Sequence, residues 1–189
     1  YRGEALPAVI LALLLLSPAL YAEDFSPFVD TPYREVFWGD THLHSSLSSD
    51  AFGLGVSLGP EEAFRFARGE TVTSTWGLPA RLSRPLDFIV LADHAESLGL
   101  MNALEAGNPQ LLADPVLSRW NALLNGGPGQ RREFSREFFA REARQEAFKR
   151  LQASASAQLQ STIWDEALAV AERFNEPRRF TTLLGFEWT

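Results

Sequence analysis

Cysteine is absent from the 189 residues, so disulfides, thiolate metal sites and thiol catalysis are excluded. Lysine is nearly absent too, with Lys149 alone among 17 basic residues. The net charge is −7, and no basic stripe or aromatic-basic interleaving is present, which argues against a nucleic-acid partner. The chain carries no P-loop, no Gly-x-Ser-x-Gly elbow and no His-Glu-x-x-His helix. Histidine is rare, at three residues, and their placement is the most informative feature of the sequence.

What is present describes an ordinary globular protein. The apolar share is 46% and the charged share 22%, enough for one well-filled domain. Residues 1–22 stand apart. Arg2 precedes the apolar run Ala8–Leu16, and small residues follow at Ala19 and Ala22. This pattern is that of a secretory signal peptide, with an uncleaved membrane anchor as the alternative. The run is short and Pro-interrupted for a transmembrane span. Export is therefore expected, to the periplasm or the medium, with membrane attachment only if the segment is retained. Residues 23–34, punctuated by Pro27 and Pro32, read as a linker.

Three apolar segments read as strands: Glu35–Leu43, Leu86–Ala92 and Arg179–Trp188. Val36-Phe37-Trp38 and the nearly continuous Leu86–Ala92 look buried, the latter on both faces. Between the strands, Ser45–Gly59 reads as a loop and Pro60–Arg68 as a helix stopped by Gly69. An irregular or hairpin-like excursion follows over Glu70–Arg84. Helical pieces broken at Gly107, Pro109, Pro115 and Gly126-Gly127-Pro128 come next, then a long helical stretch over Ser135–Phe174 that divides near Ala153–Gln160. Gly126–Gly129 reads as a flexible loop, and the alternating charges of Arg131–Arg150 as a solvated face. Strands alternating with helices imply parallel pairing and an α/β class. Three strands are too few to close a barrel, and the sequence stops just after the third. The chain is thus expected to be the amino-terminal part of a longer protein, inactive by itself.

Polar residues gather where these strands end. Period-two alternation puts Trp38, Asp40, His42 and His44 on one face of the first strand. Asp50 follows a Ser-rich turn and is able to swing back toward them. Asp93-His94 closes the second strand. Alternation also puts Glu187 on an inner face of the third, where an unpartnered carboxylate costs on the order of several kcal/mol. A cation would offset that cost, with Gly185 leaving room for it; Arg84 is the alternative partner. Singly, each residue has a bland reading as a turn residue, a cap or a satisfied core group. Together His42, His44, Asp50, His94 and Glu187 point to a metal cluster. Imidazole and carboxylate donors suit zinc, manganese and iron alike.

Several segments resemble the DUF3604 family. They are Phe37–Phe52 with its Gly-Asp-Thr-His-Leu-His core, Glu61–Glu70, Leu82–Phe88, Ala92–Glu96, and Asn175–Thr189. The resemblance covers roughly 33–189, and places 35–189 as the amino-terminal part of such a domain. The family is similar to the PHP (polymerase and histidinol phosphatase) superfamily. That likeness implies a distorted seven-stranded (β/α) barrel holding two or three divalent ions and hydrolysing phosphoesters. It also implies roles: His42 and His44 on a first ion, Glu187 bridging to a second, Asp50 and His94 on a third. Asp40 and Asp93 would orient imidazoles, and Arg65, Arg68 or Arg84 would clamp a phosphate, although structural roles compete for each arginine. A metal-bridged hydroxide is the expected nucleophile, since lowering the pKa of water from about 15.7 to about 7 is worth roughly 12 kcal/mol. Two other readings stay open. One is an amidohydrolase-type enzyme, against which the helical position of Lys149 argues because such sites often bridge ions through a strand-end lysine. The other is an envelope protein that binds metal without turnover.

Overall fold

The computed structural model describes residues 35–188; the segment read as a signal peptide or anchor (1–22) and the linker (23–34) lie outside them. Three strands form a parallel sheet: β1 (Gly39–Leu43), β4 (Phe88–Leu91) and β5 (Thr181–Leu184), in the order β1-β4-β5. A two-residue antiparallel hairpin, β2 (Val72–Thr73) and β3 (Pro79–Ala80), makes up the expected excursion. Eight helices accompany them among the described residues. The α/β class and the parallel pairing are as read; among the described residues the sheet is open.

Two helices cover one face of the sheet. The first, α2 (Pro60–Ala67), follows a five-residue helix, α1 (Ser49–Gly53). Pro60 occupies its first turn, Glu61 and Glu62 complement its dipole, and Glu62 accepts the Gly59 N–H at 3.0 Å. The backbone then turns left-handed at Gly69, φ 78°, where glycine carries no Cβ penalty. The second, α8 (Ala157–Phe174), starts from a Ser156 cap on Leu159 N–H at 3.2 Å. Phe64, Ile89, Leu91, Ala171, Phe174 and Phe180 form the core between these helices and the sheet.

A helical excursion joins β4 to α8: α3 (Leu100–Glu105), α4 (Pro109–Leu112), α5 (Pro115–Leu124), α6 (Pro128–Phe139) and α7 (Arg141–Ser154). It holds a second core around Leu104, Leu117, Trp120, Phe134, Phe138 and Leu151. Ion pairs lace its outside: Arg119 to Glu137 (2.6 Å) and Glu133 (2.7 Å), and Arg150 to Asp114 (2.9 Å). The expected breaks at Gly107, Pro109 and Pro115 appear, and each proline opens a helix.

Some expectations are corrected. Val36, Phe37 and Trp38 precede β1 and are exposed rather than buried, because β1 is an edge strand among the described residues. In β4 only Ile89 and Leu91 are buried, so one face is covered and the other half open. Leu183, Phe186 and Trp188 are also exposed, so Glu187 does not lie on the inside of a covered strand. Ser49–Gly53 is helical, not loop. Pro128 and Gly129 form the first turn of α6, since proline's fixed φ suits that position. The stretch read as one or two helices from Ser135 is three, broken at Ala140 and Ala155-Ser156 where the backbone turns extended.

Candidate metal centre

The polar residues lie at the carboxyl ends of the parallel strands, the end at which open α/β sheets build sites. The β1–β4 register shifts between Asp40 and Leu43, a bulge of the sort that re-aims side chains. Asp40 accepts the His42 backbone N–H at 2.9 Å in this bulge. It shapes the backbone and makes no contact with an imidazole ring, contrary to the role expected of it. Beyond β4 and β5 the ladder resumes as a parallel bridge between His94 and Glu187, with Ala95 N–H donating to Glu187 O and Glu187 N–H to Asp93 O. That bridge fixes Glu187 beside the histidines.

Three donor atoms form a nearly equilateral triangle. His42 Nε2 and His44 Nε2 are 3.2 Å apart, and Glu187 Oε2 lies 2.9 Å from the first and 3.1 Å from the second. Ligands about 2.0–2.2 Å from one tetrahedral ion are separated by roughly 3.3 Å, so the triangle has the dimensions of one face of such a shell. A second group joins it: His44, Asp50 and His94, with donor atoms within 4.8 Å of one another. His44 belongs to both groups, and its ring stacks on His42 (5.1 Å between centroids) and meets His94 edge-on (5.0 Å).

The hydrogen bonding fits a cation. His44 Nδ1 faces Asp50 Oδ1 and Oδ2 at 3.0 and 3.1 Å while its Nε2 faces Glu187. A neutral imidazole has one N–H; given to Asp50, it leaves the Nε2 lone pair opposed to a carboxylate oxygen, an arrangement a cation relieves. His94 Nδ1 is buried with no hydrogen-bond partner among the described residues. Its Nε2 stands 3.7 Å from Asp50 Oδ2 and 3.9 Å from Glu187 Oε2, too far for a hydrogen bond and within the span of two ligands on one ion. Hydrogen bonding from His42 is the largest influence on Glu187 and holds its carboxyl below the usual range. Burial pushes Asp50 up, but bonds from Ser48, His44 and Ala51 N–H outweigh it and hold this carboxyl low as well.

Two serines build the frame. Asp93, 3% exposed, accepts from the Ser45 N–H and from Ser45 Oγ at 2.7 Å. Burial raises its pKa against those bonds. Asp93 therefore anchors the loop after β1 and makes no hydrogen bond to an imidazole among the described residues, which corrects its expected role. Ser48, fully buried, donates to Asp50 Oδ1 at 2.6 Å and accepts the His94 N–H at 3.0 Å. Neither serine was singled out from the sequence, although a Ser-rich run directly after His-x-His was the available signal.

The arginines stay away. Arg65 pairs with Glu70 at 3.0 Å, Arg68 with Glu176 at 3.1 Å, and Arg84 lies over the Trp38 ring at 5.7 Å. Arg84 is thus not the partner of Glu187. Gly185 does not make room for an ion either: a Cβ there would meet Val90 Cγ1 at 3.2 Å, so the glycine serves sheet packing. Lys149 is exposed on α7, outside both donor groups.

A family described as a protein of unknown function, DUF3604, matches residues 31–189. The chain belongs to that family. No curated protein and no solved structure matches it. Within this DUF3604 domain, His42, His44, Asp50, His94 and Glu187 converge from β1, α1 and the ends of β4 and β5. No described helix is long and apolar enough to cross a membrane.

Proposed function

We propose that this DUF3604 chain contributes the metal-binding part of a hydrolase of the PHP type, built on a barrel whose first parallel strands are β1, β4 and β5, and that its substrate is a phosphoester. The observation that carries the reading is the triangle of His42 Nε2, His44 Nε2 and Glu187 Oε2, with edges of 2.9–3.2 Å. In this reading those three residues hold one ion, Asp50 and His94 hold another, and Glu187 stands between them. Zinc, manganese and iron all suit the donor set. When bound, such ions activate water near neutral pH and neutralise phosphoryl oxygens. The protein's part is to hold the donors: Ser48 orients Asp50 and the His94 backbone, Asp50 takes the His44 Nδ1–H, and Asp93 pins the loop that carries them. The amino-terminal segment directs export.

The test is divalent metal content of the full-length parent protein, purified without chelator and resupplied with metal, beside a His42→Ala/His44→Ala variant. Bound ions that fall in the variant, together with hydrolysis of an aryl phosphate in preference to an aryl amide, are expected. Metal-free protein in both samples overturns the reading. Metal with amide hydrolysis alone assigns the site to the amidohydrolase type instead, and metal with neither activity to a non-catalytic role.

A further inference from the structure

A cavity of about 290 Å³ opens beside the second donor group, lined by Asp50 and His94 on one side and by Arg144, Phe138 and Phe148 on the other. Arg144 and Phe148 lie one helical turn apart on α7 and so share a face. Phe148 meets Phe138 edge-on at 6.0 Å, and Phe138 in turn packs on α1, the helix that carries Asp50. A Cβ added at Gly53 would sit 2.0 Å from the Phe138 ring, so a glycine there is what allows the aromatic wall to approach the donor loop.

Arg144 combines partial burial with the lack of a carboxylate partner among the described residues, whereas Arg132, Arg136 and Arg141 are exposed. Arg119, Arg131 and Arg150 in the same helical excursion are all paired with carboxylates at 2.5–2.9 Å. Arg144 is half-buried and has no side-chain hydrogen bond or ion pair among the described residues. A guanidinium loses hydration on burial and is ordinarily compensated by an anion, which its planar fork binds through two parallel hydrogen bonds. Arg144 lines the same cavity as Asp50 and His94. The volume suits a small molecule.

We infer that Arg144 is a substrate-binding residue that grips the anionic group of the ester opposite Asp50 and His94, while Phe138 and Phe148 receive an uncharged, flat or apolar substituent. The inference rests on the metal reading above and deepens it by naming the ligand class: a small phosphoester with an apolar, preferably aryl, group.

Binding tests it without turnover. The full chain, loaded with manganese or zinc, is titrated calorimetrically with phenylphosphonate and with inorganic phosphate, and metal content is measured on the same samples. Arg144→Ala is expected to weaken both anions at least tenfold at unchanged metal content. Arg144→Lys restores only part of the loss, because a point charge replaces a fork. Phe148→Ala is expected to weaken phenylphosphonate several-fold and leave inorganic phosphate unchanged. Full metal content with wild-type affinity for both anions in Arg144→Ala overturns the inference and leaves the metal reading standing, as does metal-loaded wild type that binds neither anion. Wild-type protein that takes up no metal removes the metal reading and this inference with it.

Discussion

Ser48 shows how much of the centre depends on residues that bind no ion. Its hydroxyl donates to Asp50 and accepts from the His94 backbone, so one buried atom sets two donors from different elements. Groups that orient ligands in this way typically contribute 10- to 100-fold in metal affinity. Ser48→Ala is therefore expected to lower metal affinity by about that factor in a competition titration against a chromophoric chelator, with the helical circular dichroism unchanged. Wild-type affinity in the variant would show that Ser48 serves loop packing alone. The five candidate ligands were legible in the sequence because strand-end imidazoles and carboxylates are rare and chemically specific. Ser45, Ser48 and Arg144 were not, since serines in a turn and an arginine on a charged helix are common, and only three-dimensional placement separates them. Asp40 and Asp93 were legible as important but not in role: each serves a backbone N–H, and such bonds leave no signature in spacing.

The helical excursion between β4 and α8 depends on caps and ion pairs at its element ends. Asp114 accepts from Val116 and Leu117 N–H and pairs with Arg150 on α7. Burial pushes its carboxyl up, and the Leu117 N–H, Arg150 and Val116 N–H together hold it below the usual range. Glu137 is likewise held low, chiefly by Arg119. A carboxylate with a depressed folded-state pKa binds fewer protons folded than unfolded near that pKa. Its stabilisation is complete above the unfolded value, about 4, and is lost as pH falls through the folded value. Urea midpoints are thus expected to be flat from neutral pH to about 5 and to drop below about 4. An Asp114→Ala variant should lose about 1 kcal/mol at pH 7 and show a shallower acid decline. An unchanged decline would assign the acid sensitivity to other carboxylates. At this scale the sequence announced where helices begin, because proline and capping residues act locally. It did not announce how faces are covered. Val36-Phe37-Trp38 is as apolar as a core strand and lies exposed on an edge, since burial depends on which neighbours the fold supplies.

For the molecule as a whole, the donor cluster is where distant parts of the chain meet. His42 and Glu187 are 145 residues apart, Asp50 comes from α1, and His94 follows the central strand. Three imidazoles and two carboxylates held within a few ångströms at the end of an open sheet are poorly compensated by one another, as the unpartnered His94 Nδ1 and the doubly faced His44 show. An ion bound by this cluster binds the folded chain in preference to the unfolded one, because His94 and Glu187 reach the His42–Asp50 segment only through the fold. Binding of that kind stabilises by about 2.7 kcal/mol at free metal 100 times the dissociation constant. For a chain of this size each kcal/mol moves the melting temperature by about 2–4 °C, so metal is expected to raise it by about 5–11 °C. Chelator should remove that increment from the native chain and leave the His42→Ala/His44→Ala variant unaffected. The comparison also separates the cluster from incidental surface binding, since carboxylates elsewhere would respond equally in both proteins. Equal melting temperatures with metal and with chelator in the native chain would mean that the five side chains satisfy one another without an ion. The juxtaposition would then be a consequence of strand order alone.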